Sequence, residues 1–535
     1  MLISLLVTVI FGVAYFYIEI PALNIHSAEF YTFAYLLCIV YCATNIFVTG
    51  FRSKNVKEFG LHLVKKCTVP VVIAVVLFAV SVVGGIAGNV FFRSKTYATL
   101  LPVKQGDFSK EVEEVTWDQI PMLDETSANT LANKKMGELS DLVSQFEVDE
   151  ESAQINYNDI PVRATYLNYG DIIKWWKNRK NGIPAYLLID MVTQEVTVKR
   201  LDEGMKYSPS EPLNRNIDRY LRFKYPTKMF YDVNFEVDDD GVPYWCATVV
   251  KKTIGLFGGT DVEGAVLVNA VTGESQYYEI GDVPNWVDRV CSASLIMEQY
   301  DYYGLYQGGF WNSILGQSGC TKSTSGYNYI AMDDDVWVYT GVTSVGGDES
   351  NLGFILVNQR TKDARYYVCA GANEASGMKS AQGAVQQYSY QSTFPILLNI
   401  GGEPTYFMAL KDASQLVKMY AMVNVSQYQI VAVGSTVEEC QQNYAEQMVK
   451  NGLAQAEETK PDEQAEVTGK IEEIRSAVMD GDTCYFIRLQ DSNVYYIINA
   501  REYPLATILN VEDKVHIVYK VGEGEILTGV SVERK

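Results

Sequence analysis

The sequence predicts a membrane-anchored α+β protein with three N-terminal transmembrane helices, a repeated α+β ectodomain and a small C-terminal β-barrel. Three observations predict it. Three long apolar runs lie within the first 92 of 535 residues. A strand–turn–strand pattern recurs through the middle of the chain. Short β-type segments crowd the stretch after residue 466.

The apolar runs are 2–20, 30–48 and 68–92, and Glu19 is the single charged residue inside them. Each reaches or nearly reaches the ~20 residues that cross a hydrocarbon core. Residues 1–92 therefore read as the anchor, with the lipid bilayer as its first partner. The segment 51–66 between the second and third runs carries Arg52, Lys54, Lys57, Lys65 and Lys66, whereas the loop at 24–29 has no Lys or Arg. Cationic loops stay in the cytoplasm. This predicts a multi-pass cell-membrane protein with a cytoplasmic N-terminus and a large extracytoplasmic C-terminal region. Arg93 and Lys95, beyond the third run, pull weakly the other way. The first run lacks a basic leader and a small-residue exit, so it reads as an anchor rather than a cleaved signal. Within the third run, Gly84 and Gly88 form a small-residue face that lets helices approach closely. That face suits packing against the other two helices, or self-association into a homo-oligomer.

Charge separates the two parts. Residues 1–92 carry 5 Lys/Arg and 3 Asp/Glu, net +2, and the other 443 residues carry 39 and 62, net −23. So acidic a region repels phosphate backbones, which disfavours nucleic acid as a partner. Six cysteines, from Cys246 to Cys484, are widely spaced and outline no disulfide framework. No Cys/His spacing suits zinc, and no cofactor motif is present.

Residues 93–160 read as a helical or irregular stalk. Residues 161–455 carry the repeat: LLIDMVTQEVTV at 187–198, AVLVNAVTGESQYY at 265–278, FILVNQRTKDARYY at 354–367 and a degenerate YAMVNVSQYQIV at 420–431. Each reads as an apolar strand, a polar turn and a second strand. The Asp or Asn at the strand exit caps the turn with its side chain. The anchoring threonines, Thr193, Thr272 and Thr361, are 79 and then 89 residues apart, a domain-sized period. Polar turns lead into aromatic strands ahead of the last three copies, at 238–245, 333–339 and 402–407. Helical patterns lie at 129–146, 171–178, 212–223, 284–300, 377–388 and 436–456.

The aromatic strand, the VNAVTGE turn and the QYYEI strand at 244–280 resemble the hairpin of the PepSY domain, and 336–368 resembles it more loosely. Only the 268–273 copy keeps the Gly of the V-[DN]-x-x-T-G signature. The resemblance implies small extracytoplasmic α+β modules of an inhibitory or regulatory kind, attached to envelope enzymes. It carries over no catalytic residue.

The polar stretch 456–466 reads as a linker. Beyond it, β segments at 467–474, 483–489, 494–498, 514–519 and 526–532, with a helical turn at 504–509, resemble a small OB-type barrel. No basic groove accompanies them.

Catalytic candidates are thin. The chain holds three histidines, His26, His62 and His516, the first two in the membrane part. A Ser-His-Asp or Cys-His mechanism in the main soluble part then lacks its base. GQSGCTKST at 316–324 fails as a phosphate loop, because Thr321 stands where a Gly must precede the Lys. The clusters at 238–240 and 333–335 lack the ligand spacing of a calcium loop and read as solvated turns. The densest aromatic stretch, 300–311, makes Tyr300, Tyr302, Tyr303, Tyr306, Phe310 and Trp311 the candidate binding patch for a sugar or a partner protein. The expected function is non-catalytic: an extracytoplasmic binding, scaffold or regulatory protein acting on an envelope partner. The alternative is a membrane-tethered hydrolase with paired carboxylates acting on an envelope polymer.

Overall fold

The computed structural model describes residues 2–50, 56–114, 120–158, 160–332, 335–346, 350–453, 464–479, 482–490, 492–501, 503–520, 524 and 526–535. The linker expected at 456–466 lies largely outside these residues, as do Arg52 and Lys54.

Three N-terminal helices are long and apolar enough to cross a membrane: α1 (Leu2–Glu19), α2 (Ala28–Gly50) and Val64–Ala87 within α3 (Val56–Ala87). Their large side chains, such as Leu6, Val13, Phe47 and Phe78, face outward. The third run departs from the expected 68–92. Its helix stops at Ala87, and Asn89 turns extended. The Asn89 side chain accepts from the Phe91 amide at 2.9 Å, capping a new helix, α4 (Val90–Tyr97).

The chain divides after Gln447 into two compact units. The first unit contains the three apolar helices and four antiparallel meanders. Each meander has a strand leading into the repeated strand–strand–turn–strand pattern. The first uses Ala153–Tyr157, Ile160–Tyr169, Ile183–Asp190 and Val196–Met205. The second runs Met229–Val237, Pro243–Ile254, Gly258–Asn269 and Ser275–Glu279. Asn328–Met332, Asp335–Ser344, Ser350–Asn358 and Ala364–Ala372 form the third. The fourth consists of Ile396–Ile400, Glu403–Lys411, Val417–Asn424 and Val431–Gly434. A helix precedes each: Glu125–Gly137, Ile217–Lys224, Ala293–Tyr306 and Glu374–Ala384.

The turns follow one chemistry. Asp190 Oδ1 accepts from the amides of Val192 and Thr193, both at 2.8 Å. Asn269 accepts from Val271 and Thr272 at 3.0 and 2.9 Å. Asn358 accepts from Arg360 and Thr361 at 2.9 and 2.8 Å. In the fourth copy Asn424 accepts from Gln427 at 2.8 Å. Each of the first three turns closes through a left-handed residue, Gln194, Gly273 or Lys362. At Gly273 a Cβ would also strike the Tyr207 ring, so this copy needs its glycine.

Other boundaries moved. Residues 93–160 do not stand apart as a stalk: Val103–Gly106 pairs in parallel with Ala364–Ala372, and Phe146–Val148 joins the first sheet. Unpaired strand edges recruit nearby chain because their amides and carbonyls need partners. The helix expected at 129–146 ends at Gly137. The helices expected from Pro212 and Pro284 start instead at Ile217 and Ala293, behind Asn216 and Ser292. Asp238 caps its own turn, accepting from Asp240 and Val242. Asp335 is buried rather than solvated: Arg360 donates to both its oxygens, at 2.6 and 2.8 Å. Asp333 and Asp334 lie outside the described residues.

The core is aromatic between the first two meanders, where Tyr166 meets Trp245 edge-on at 4.8 Å and Phe235 meets Trp245 at 5.3 Å. All nine cysteines are free thiols, and the six beyond residue 92 are buried. Burial pushes Cys246 well above the ordinary thiol value and Cys291 up to about 12.

In the second unit, five strands close a barrel in the order Gln464–Met479, Asp482–Leu489, Tyr495–Asn499, Ile526–Arg534, Lys514–Lys520. Tyr495–Asn499 and Ile526–Arg534, the third and fifth barrel strands in chain order, run parallel. Ile471, Ile487, Ile498, Val515 and Ile517 fill the interior.

Candidate functional site

The aromatic stretch 300–311 does not form one platform. Tyr300 is 1% exposed and sits in the core with Val338 and Ile355. Tyr303 packs beside it, ring centroids 5.9 Å apart. Tyr302 and Tyr306 turn the other way, onto the cluster of Tyr97, Leu100 and Ile254. Helical spacing accounts for the split, because residues two apart point to different faces. Phe310 and Trp311 lie past the helix end, where Phe91 meets both rings edge-on at 5.0 and 5.6 Å. Trp311 is 62% exposed, and Phe92, Ile314 and Leu315 are exposed with it. This apolar cluster stands immediately after the third apolar helix.

Gly84 and Gly88 face the second meander. A Cβ on Gly84 would stand 2.6 Å from Leu256 Cβ, and one on Gly88 would stand 2.7 Å from the Ile254 carbonyl oxygen. The small-residue face of α3 is thus filled by the 254–258 turn of the second meander. Tyr97 locks this contact by donating to the Gly88 carbonyl at 2.8 Å.

A polar cavity of about 360 Å³ opens where the first, third and fourth meanders meet. Arg163 and Gln154 enter it from directly paired positions on adjacent strands. Arg163 is 8% exposed and Gln154 3%. Arg163 Nη1 donates to Ser152 O and Oγ at 3.3 and 3.4 Å, while its Nε has no hydrogen-bond partner among the described residues. Gln154 Oε1 likewise has none. Arg289 reaches in from the loop before Ala293–Tyr306, its guanidinium 5.8 Å from the centre of the Tyr329 ring, and its buried Nε likewise has no hydrogen-bond partner among the described residues. Tyr327, Tyr329 and Phe394 complete the wall. Burial pushes the Tyr329 hydroxyl up to about 12, against the pull of Arg289 and Arg163.

Two carboxylates share the cavity. Asp124 caps the helix Glu125–Gly137 and takes Lys411 Nζ on both oxygens at 2.7 Å. Desolvation opposes its ionisation, yet Lys411 and Ser127 hold it below the usual carboxylate range. Glu125 Oε1 accepts from the Ser152 amide at 3.3 Å. Beneath the site, Glu236 accepts from the Arg289 amide at 3.0 Å, and burial pushes its carboxyl up to about 7. With Lys411 set against Asp124, the described wall carries one uncompensated positive charge.

Sequence reasoning missed this site. Its one signal was Arg163 itself, a cation inside the apolar strand Ile160–Tyr169. A charge there is buried at a cost unless something compensates it.

Comparison with known proteins gives no family. No protein-family model matches the chain. No curated protein matches it. Among solved structures, a polysaccharide lyase, Uly1, aligns at 8% identity over 71% of this chain and 74% of its own, with a TM-score of 0.15. Two structures of levansucrase from Bacillus subtilis align at 9% and 7% identity over 80% and 79% of this chain and 97% of each, both with a TM-score of 0.16. At such scores the likeness carries no argument about fold or activity.

Proposed function

We propose that this chain is a membrane-anchored binding or regulatory protein whose β-rich part faces the extracytoplasmic space and acts on an envelope partner without catalysis. The observation that carries the reading is the cavity at Arg163 and Arg289: it offers buried donors of fixed charge and holds one of its two carboxylates, Asp124, in an ion pair. Such a wall binds and orients. A paired-carboxylate hydrolase needs both acids free to exchange protons or attack.

The outward orientation is supported by the cationic 51–66 segment together with the first loop, which packs on the β-rich side. Four helix-plus-meander units with Asx-closed hairpins support the PepSY-like reading. A five-stranded barrel with parallel third and fifth strands supports the OB-like one. On this reading Phe91, Phe92, Trp311, Ile314 and Leu315 sit at the lipid–water boundary, where Trp is favoured.

The full chain in nanodiscs, supplied with peptidoglycan fragments and with peptides, tests the non-catalytic claim. No turnover is expected, and crosslinking in intact cells through Tyr327 at the cavity rim is expected to capture an envelope enzyme or assembly factor. Sustained, enzyme-proportional turnover overturns the reading.

A further inference from the structure

We propose that the cavity binds a small ligand bearing an oxyanion, a carboxylate or phosphate group, held between Arg163 and Arg289. The proposal rests on the binding-protein reading above and names the ligand's chemical class. Two guanidinium groups line one cavity, and each has a buried Nε without a hydrogen-bond partner among the described residues. Like charges in a low-dielectric wall repel, and an unmet buried donor is costly. An oxyanion removes both penalties at once, because guanidinium donors match carboxylate and phosphate geometry.

The rest of the wall narrows the class further. Gln154 Oε1 is an unpartnered acceptor beside Arg163, so the ligand offers it a hydroxyl or amine hydrogen. Phe394, Phe407 and Met408 give an apolar side. The Phe394 ring lies against Gly326, where a Cβ would come within 2.6 Å of it. Gly326 adopts φ +95°, so both conformation and space require glycine beneath that ring. A volume of about 360 Å³ is at the small end of ligand sites.

The test uses the full chain in nanodiscs, with inorganic phosphate and malate as separate titrants and glycerol as the uncharged control. Calorimetry is expected to show saturable binding of phosphate or malate and none of glycerol, and whichever titrant binds identifies the oxyanion. Arg163→Gln and Arg289→Gln are each expected to weaken that binding about tenfold or more. Without ligand, Arg163→Gln is expected to melt at or above the wild-type temperature, since it removes a cation that burial disfavours, whereas Arg289 is set against Glu236. A merely structural arginine would lower it. If the Gln variants fail to fold, Arg163→Lys decides, because an ammonium does not reproduce the guanidinium fork. Weaker binding by that variant supports the site, and unchanged affinity overturns it. Absence of saturable binding by both titrants, or binding that survives both Gln substitutions, also overturns it. Failure here leaves the orientation of the β-rich part untouched. Anion binding by a β-rich part that proved cytosolic would instead keep this site and remove the envelope reading.

Discussion

The Arg222 guanidinium donates through Nε to the Ile20 carbonyl at 2.8 Å, where the first apolar helix gives way to the loop before the second. Nη1 of the same side chain bonds the Lys228 carbonyl at 2.5 Å. Nearby, the Leu23 amide donates to Pro226 O, and Arg219 Nε donates to Tyr17 O. The first loop is therefore built onto the second meander. Arg222→Ala leaves these carbonyls without their charged donor, so it should cost about 1.5–3 kcal/mol. Chemical denaturation of the full chain in nanodiscs checks this, and an unchanged midpoint would contradict it.

The contact between Gly88 and the 254–258 turn predicts an asymmetry between two neighbouring glycines. A methyl on Gly88 meets backbone, which cannot move aside, whereas one on Gly84 meets the Leu256 side chain. Gly88→Ala should destabilise by about 1–3 kcal/mol and Gly84→Ala by less. Melting temperatures of the two variants, measured side by side, decide it. Equal shifts would contradict the packing described.

Trp311 should sit in lipid. Its ring is exposed beside Phe91 and Phe92, just past the third apolar helix. Lipids brominated near the headgroup should quench part of the tryptophan emission of the nanodisc-embedded chain. That part should vanish in Trp311→Phe. Equal quenching of variant and wild type would count against the boundary placement.

Stability should fall as pH rises through the range in which Glu236 ionises. Burial raises its carboxyl from 4.5 to about 7, opposed by Arg289 and by the amides of Arg289 and Asp288. The folded state then holds a proton that the unfolded state releases, so the penalty is absent below the ordinary carboxylate value and complete above about 7. Glu236→Gln should flatten the fall in unfolding free energy between about pH 4.5 and 7. An unchanged slope would show that Glu236 does not set it.

Local periodicity and turn chemistry were legible in the sequence. Asp190, Asn269, Asn358 and Asn424 sit at strand exits in one pattern, and each closes its turn. The barrel strands and the apolar helices are local features too. Long-range pairing was not legible: nothing at 103–106 marks Val103 as the partner of Ala364. The use of Gly84 and Gly88 was hidden for the same reason, since their partner Leu256 lies some 170 residues along the chain. The helix starts behind Asn216 and Ser292 were masked by the prolines at 212 and 284, which look like first-turn residues. The cavity stayed invisible because its wall joins 121–126, three meanders and Arg289, segments far apart in the chain that form no linear motif.

A reporter fused behind Lys535 and read in intact cells reveals whether the β-rich part lies outside the cytoplasm. The reporter is expected to be reached by an impermeant protease while Lys65 and Lys66 stay protected. A protected, cytosolic reporter would contradict it.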